Sequence, residues 1–193
     1  MIKYLSTYST IKKGILFASV LLILGLSGYT LSHAKVYIKA DEALKKAFPE
    51  AANIERKTFF LTDDEIKRIE EASGAKMESK LFIYYTAVGK SGIAGYAVIG
   101  SRIIRTKPAV YMIKIRPDLE IDDVVILAFS EPEEYLPSRR WLDQFIGKKL
   151  GGRLWINRDI HAISGATLTS YAITREARKA LAVFEIKMNG GVK

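Results

Sequence analysis

Residues 80–105 read KLFIYYTAVGKSGIAGYAVIGSRIIR, and this stretch sets the architecture of the chain. Its first part, Lys80–Val88, is rich in β-branched and aromatic residues, which favour strands. A Gly-Lys-Ser-Gly turn signal follows. The segment Ile93–Arg105 then predicts a second strand, in which Gly95 and Gly100 indicate bulges or close backbone approach. We therefore predict a β-hairpin here.

Two further strands extend this hairpin towards the C-terminus. Pro108 separates the hairpin from Ala109–Arg116, in which Val110, Met112 and Lys114 alternate with Tyr111, Ile113 and Ile115. Pro117 and Asp118 form the next turn signal, and Ile121–Phe129 predicts a fourth strand. Four strands joined by short turns predict an antiparallel meander.

Helical patterns lie on both sides of this meander. Each has a recognisable start or stop signal, such as the capping box that Thr62 and Glu65 form and the glycine that ends that helix. The predicted helices are Ala40–Phe48, the segment from Thr62 to Gly74, Arg139–Ile146 with Ser138 as its cap, and about Thr169–Ile186. We predict an α+β fold with three parts: residues 1–34, a helical segment at 35–79, and a domain at 80–193 in which helices flank an antiparallel sheet.

Composition excludes several kinds of site. The chain has 193 residues and no cysteine, so disulfides, thiolate catalysis and thiolate-held iron–sulfur clusters are excluded. His33 and His161, its two histidines, are far apart, which argues against a histidine-based metal site. The net charge of +9 is spread along the chain without a nucleic-acid-binding motif, so nucleic acid is not an expected partner.

The segment from Gly14 to about Leu31 is apolar and uncharged. It is just long enough to span a membrane as a helix, and the basic residues before it predict a cytoplasmic N-terminus. A cleaved signal peptide is the alternative, with Ser32-His33-Ala34 as the cleavage site. Either interpretation predicts that residues 35–193 lie outside the cytoplasm, and the first predicts a single-pass protein of the cytoplasmic membrane.

The run Ser164-Gly165-Ala166-Thr167-Leu168-Thr169-Ser170 combines small residues with hydroxyls just before a helical pattern. One interpretation is an ordinary turn and helix cap. The other is an anion site, because small residues admit a ligand close to the backbone and the first amides of a helix attract a phosphate.

This run resembles the S/T-G-A-T motif of FMN-binding domains, as in the flavin-carrying proteins of the Rnf electron transport complex and of the sodium-pumping NADH:quinone oxidoreductase. The resemblance implies that a separate flavin transferase joins FMN through its phosphate to the hydroxyl of Thr167. It implies that Ser164, Thr169 and Ser170 help to bind the phosphate, while Gly165 and Ala166 leave room for it and Leu168 lies beside it.

A second, looser similarity concerns the loop Ser130–Pro137, which resembles the E-T-P-G-L-G loop of the same family. It implies that Glu131, Tyr135 and Leu136 lie near the flavin ring. The chain departs from the family pattern D-x-x-S-G-A-T, because His161 stands at the aspartate position. Asp159, two residues earlier, is either a substitute or a solvated turn residue.

Together these features predict a membrane-anchored flavoprotein that passes electrons between redox partner proteins through FMN. No residue pair resembles a substrate acid–base set, so we expect electron transfer rather than conversion of a specific substrate. The alternative is a non-catalytic extracytoplasmic binding or assembly module without flavin, in which the Ser164–Ser170 run is only a helix cap.

Overall fold

The computed structural model describes residues 35–189, which form a six-stranded sheet with helices on both faces. In chain order the elements are β1 (Lys35–Val36), α1 (Ala40–Ala47), β2 (Asn53–Phe60), α2 (Asp63–Ser73), β3 (Leu81–Gly89), β4 (Gly92–Ile103), β5 (Pro108–Ile115), β6 (Ile121–Phe129), α3 (Arg139–Leu142) and α4 (Thr167–Asn189). Short 3₁₀ turns cover Glu133–Tyr135 and Asp143–Phe145. Within this described part, no helix is long and apolar enough to cross a membrane. The predicted membrane segment at 14–31 lies outside it.

The predicted meander is confirmed. Strands β3 to β6 pair antiparallel in sequence order, and the full order across the sheet is β1-β6-β5-β4-β3-β2. The α+β architecture, with an antiparallel sheet flanked by helices, is therefore as expected for the part of the chain that the structure describes.

Two edge strands were not predicted. Residues 35–79 were expected to be helical, yet β2 lies in this segment and pairs antiparallel with β3 along its whole length. The run Glu55-Arg56-Lys57 hides the strand pattern, because charged residues are common on edge strands, where they discourage pairing with other chains. β1 has only two residues, pairs with β6, and is too short for any periodic signal.

The two glycines singled out in β4 have the roles that the sequence suggested. The register between β3 and β4 shifts between Ala87 and Val88, opposite Gly95. A Cβ at Gly100 would overlap the ring of Tyr111 on β5, so this position allows the tyrosine to lie directly over the backbone of β4.

The sheet has one large and one small apolar core. On one face, α2 and α4 cover the larger cluster, in which Ile173, Leu181 and Phe184 of α4 are almost completely buried. On the other face, α1 covers a smaller cluster that includes Leu44, Phe48 and Met112. The long C-terminal helix is thus the main apolar cover of the sheet.

The helix ends agree with their predicted signals. The Thr62 hydroxyl accepts from the amide of Glu65 at 3.2 Å, and the Glu65 carboxylate accepts from the amide of Thr62 at 2.8 Å, which completes the capping box. Gly74 ends α2 with a φ of +68°, a left-handed conformation that glycine adopts without strain. Ser138 caps α3 as predicted, although only Arg139–Leu142 is α-helical.

Candidate functional site

The Ser164–Ser170 run forms a tight turn that leads directly into α4. The amide of Ala166 donates to the carbonyl of Ile163 at 3.1 Å, and Gly165 has a φ of +78°. A positive φ at the third residue of such a turn favours glycine, which is the residue present. α4 therefore begins at Thr167, two residues before the predicted start.

The Ser170 hydroxyl fastens this turn to the helix. It accepts from the amide of Ile163 at 2.9 Å and donates to the carbonyl of Ala166 at 3.1 Å. Both partners precede Ser170 in the chain, so one buried hydroxyl holds the loop in place. Its predicted contact with a phosphate stays a prediction, since these two bonds already engage it.

The first turn of α4 presents two side chains and several amides to solvent. Thr167 is exposed, and 55% of Leu168 is exposed. The amide of Ser170 makes the helical bond to the carbonyl of Ala166, so the amides of Thr167, Leu168 and Thr169 come before any carbonyl acceptor within the helix. Such amides, together with the helix dipole, attract anions.

Thr169 lies beside them and is almost completely buried, with 1% of its surface exposed. Its Oγ1 has no hydrogen-bond partner within the described part of the chain. An unpartnered buried hydroxyl is unfavourable unless a ligand or water supplies the missing partner. This orphaned hydroxyl therefore favours a ligand-binding site at the helix start over an ordinary helix cap.

A cavity of about 150 Å³ opens over this helix start. Three segments form its wall: the turn between β4 and β5, the 3₁₀ turn after β6, which contributes Tyr135, and the Ser164–Ser170 run itself. The lining residues are Ile104, Arg105, Tyr135, Gly165, Ala166, Thr167, Leu168 and Thr169. Ile104 and Arg105 were missed by sequence reasoning, because they stand nearly sixty residues before the motif and only the fold brings them to it.

Glu131 holds the β4–β5 turn, and its predicted position near the flavin ring stays a prediction. Its Oε1 accepts from the amides of Arg105 at 3.1 Å, Thr106 at 2.6 Å and Lys107 at 2.8 Å. Burial opposes ionisation of this carboxyl, but the three amides outweigh it and hold the pKa of Glu131 below its ordinary value. Glu131 thereby fixes the cavity wall that carries Arg105.

The structure separates Tyr135 from Leu136. Tyr135, in the 3₁₀ turn, lines the motif cavity, and its predicted contact with a flavin stays a prediction. Leu136 lines a different groove, together with Tyr37 and Arg139. Its predicted contact with a flavin stays a prediction, and the geometry favours Tyr135.

Helix α3 and the turn that follows it hold the loop before the motif. The Trp141 indole N–H donates to the carbonyl of His161 at 2.6 Å, and the amide of His161 donates to the side-chain carbonyl of Gln144 at 2.8 Å. The His161 side chain itself is exposed. Asp159 is engaged by Lys148 at 3.2 Å and Arg153 at 3.0 Å, and the hydrogen bond from Lys148 is the main reason that the pKa of Asp159 is lowered.

These groups fit the phosphate end of a mononucleotide. Amides without helical partners, an orphaned hydroxyl and the cavity-lining Arg105 all complement a negative charge. Between residues 35 and 189 we find no cluster of three His, Asp or Glu side chains suited to a metal ion. The arrangement therefore supports binding of an anionic organic group at an exposed threonine.

Comparison with known proteins agrees with this geometry. Residues 106–182 match the family described as FMN-binding domain, a range that starts in the β4–β5 turn and includes the whole motif. Among solved structures, the fold is similar to the crystal structure of Shewanella oneidensis NqrC, with a TM-score of 0.51 and 14% sequence identity over 79% of this chain and 88% of that one. No curated protein matches the chain in sequence. The predicted resemblance to FMN-binding domain proteins is confirmed, and FMN is the ligand that the family match supports.

Proposed function

We propose that this protein carries FMN covalently, through its phosphate, on the Oγ1 of Thr167 and transfers electrons between redox partner proteins. The observation that carries the proposal is the first turn of α4. There an exposed threonine hydroxyl stands beside amides without helical partners and beside the orphaned hydroxyl of Thr169. An ordinary helix cap requires neither the exposed acceptor nor the unpartnered donor.

Each residue of the site has a role in this proposal. The amides of Leu168 and Thr169 and the Thr169 hydroxyl donate to phosphate oxygens, and Arg105 balances the phosphate charge. Gly165 and Ala166 leave space for the phosphate next to the backbone. Tyr135 and Leu168 supply apolar surface for the ring. When bound, FMN supplies one- and two-electron redox chemistry, and these residues supply orientation and electrostatics.

The size of the cavity bears on how electrons would reach the cofactor. At about 150 Å³ it is smaller than the roughly 300–1,000 Å³ of pockets that bury most of a drug-sized ligand. It accommodates the phosphate end and leaves much of the ring at the surface. An exposed ring suits exchange of electrons with a partner protein better than it suits water-free chemistry on a bound substrate.

The cellular setting is part of the same proposal. A flavin transferase transfers FMN from FAD to the Thr167 hydroxyl, which breaks the pyrophosphate bond of FAD and releases AMP. The apolar segment at 14–31 anchors the protein to the cytoplasmic membrane with residues 35–193 on the extracytoplasmic side. Its redox partners then belong to a membrane-bound electron transport complex.

The test is production of the full chain together with a flavin transferase, followed by a denaturing gel viewed under ultraviolet light. We expect a fluorescent band from the wild type and none from Thr167→Ala. The matched control is Thr106→Ala, which removes an exposed hydroxyl and its 3.4 Å bond to Glu131 Oε1 but keeps the 2.6 Å backbone bond to the same oxygen. That variant remains fluorescent.

A dark wild-type band overturns covalent attachment. An absorption spectrum of the native protein then separates two cases. Flavin bands would mean that FMN binds without a covalent bond, whereas their absence would favour the non-catalytic module, in which the motif is only a cap.

A further inference from the structure

A second cavity, of about 230 Å³, lies between β3, β4 and the middle of α4. Its walls include the apolar side chains of Phe82, Val98 and Ala180. It shares no lining residue with the cavity at the Ser164–Ser170 run. A ligand here would therefore have its own recognition chemistry.

Glu176 lines this cavity and is buried, with 2% of its surface exposed. Its Oε2 accepts from the Tyr111 hydroxyl and is 2.6 Å from the Lys179 ammonium. Burial and the neighbouring carboxylate raise the pKa of Tyr111, so the tyrosine keeps its proton and acts as a donor. One oxygen of the buried carboxylate is thus fully engaged.

The second oxygen of the Glu176 carboxylate lacks such partners. Glu176 Oε1 is buried and has no hydrogen-bond partner within residues 35–189. Arg102 Nη1 lies 3.8 Å from it, beyond hydrogen-bond distance. An unsatisfied oxygen on a buried carboxylate is costly, which indicates that a donor from outside the chain belongs there.

The charges around the cavity balance. Arg102 bridges from Glu176 towards Glu78, with 2.8 Å between Arg102 Nη1 and Glu78 Oε1, and Lys179 is the second cation. Two carboxylates thus face two cations. Glu78 is 70% exposed, so a competing anion can displace it from Arg102 at little cost. A ligand in this cavity would therefore meet a buried carboxylate oxygen that lacks a donor and, beside it, a guanidinium whose carboxylate partner is exchangeable.

We propose that this cavity binds a small zwitterion with an apolar body, of which an α-amino acid with an aliphatic side chain is the simplest example. Its ammonium group donates to Glu176 Oε1, and its carboxylate replaces Glu78 on Arg102. Its side chain lies against Phe82, Val98 and Ala180. The two charged groups of such a ligand are adjacent, as are the two protein groups that would receive them.

The test is calorimetric titration of the full chain in detergent with three probes of similar shape, L-leucine, isoamylamine and isocaproate. We expect L-leucine to bind at least tenfold more tightly than either of the other two. Glu176→Gln replaces the anionic acceptor and should weaken L-leucine binding at least tenfold. Glu185→Gln, a partly buried glutamate on the same helix that does not line the cavity, should bind like the wild type.

A second variant guards against misfolding of the first. Met77, in the loop before β3, lines the cavity and is only partly buried, so Met77→Trp obstructs the cavity from a loop rather than from the sheet and should abolish binding. Failure of L-leucine to bind, equal binding of the amine alone, or unchanged binding by Met77→Trp would each overturn the proposal. Flavin fluorescence at Thr167 is unaffected by any of these outcomes, so the two proposals succeed or fail separately.

Discussion

The first turn of α4 and the middle of the same helix are built for different purposes. At the first turn, Thr167 and Leu168 are exposed, and the Ser170 hydroxyl bonds the preceding loop. Two turns later, nearly every side chain is buried, including the charged Glu176 and Arg178. One helix thus combines a solvent-accessible end with a middle that closes the core.

This difference predicts which substitutions in α4 affect cofactor attachment and which affect stability. Changes at the exposed first turn should alter cofactor attachment and leave stability nearly unchanged, since surface substitutions away from special features usually stay within about 0.5 kcal/mol. Changes in the middle should do the reverse. The following predictions, from the largest expected effect to the smallest, test that division.

Phe184→Ala should lower the free energy of unfolding by about 3–5 kcal/mol, because it leaves a cavity in the core. The Phe184 ring is fully buried, with ring centroids 4.9 Å from Tyr96 and 5.3 Å from Tyr84. Urea unfolding measures the change. Leu168→Ala is the matched truncation at the first turn, and a loss there as large as that of Phe184→Ala would erase the distinction between the two regions.

Arg178→Met should lower the free energy of unfolding by about 2–3 kcal/mol, because it leaves buried backbone carbonyls without hydrogen-bond donors. The guanidinium donates to the carbonyls of Ser73 at 3.1 Å and Leu154 at 3.2 Å, and also to Ala72, so it closes the C-terminal end of α2. Methionine keeps most of the apolar stem. Thermal unfolding beside Arg175→Met, an exposed arginine on the same helix, measures the effect. Equal melting temperatures would show that the buried contacts contribute nothing.

Ser170→Ala should lower the free energy of unfolding by about 1 kcal/mol, the usual loss when a side chain that bonds the backbone at a helix start is removed. It also frees the amide of Ile163 and loosens the loop before Thr167. We expect weaker flavin fluorescence together with the stability loss, which would place Ser170 on the border between the two regions. Ser164→Ala, at an exposed hydroxyl of the same turn, is the control for stability. A Ser170→Ala variant as stable as this control would refute the anchoring role.

Glu131→Gln should produce the smallest effect, and one that depends on pH. The pKa of Glu131 is lowered in the folded protein, so its ionised form contributes stability above the ordinary carboxyl range, and this is lost as the pH falls through the folded-state pKa. Unfolding of wild type and variant in parallel at neutral and acidic pH measures it. We expect the variant to be less stable at neutral pH and the difference to shrink in acid. A difference independent of pH would mean that charge is not what holds the β4–β5 turn.

Local signals predicted much of the fold. Strands β3 to β6 follow from runs rich in β-branched, aromatic and other apolar residues between glycine or proline turns, and the capping box at Thr62 is a local pattern that the structure reproduces. β2 escaped because its Glu55-Arg56-Lys57 run suits an edge strand and resembles a solvated loop. Edge strands with charged residues carry little periodic signal, so only their pairing reveals them.

The candidate site likewise has a part that the sequence predicts and a part that only the fold brings together. The motif itself was visible, since small residues and hydroxyls before a helix are contiguous in sequence. Arg105 and Ile104 were not, because a distant carboxylate, Glu131, sets the turn that brings them to the cavity. The Glu176 cavity also escaped prediction, because a glutamate on an amphipathic helix gives no sign that it is buried.

The bond from Arg178 to the end of α2 has a consequence for the order in which the chain is made. The two partners, Arg178 and Ser73, are separated by 105 residues, so the ribosome completes α2 long before its closing cation exists. A nascent chain that stops before residue 178 has a sheet without its main cover. Helix α4 also carries Thr167, so any modification that requires the folded turn waits until the ribosome has passed residue 178.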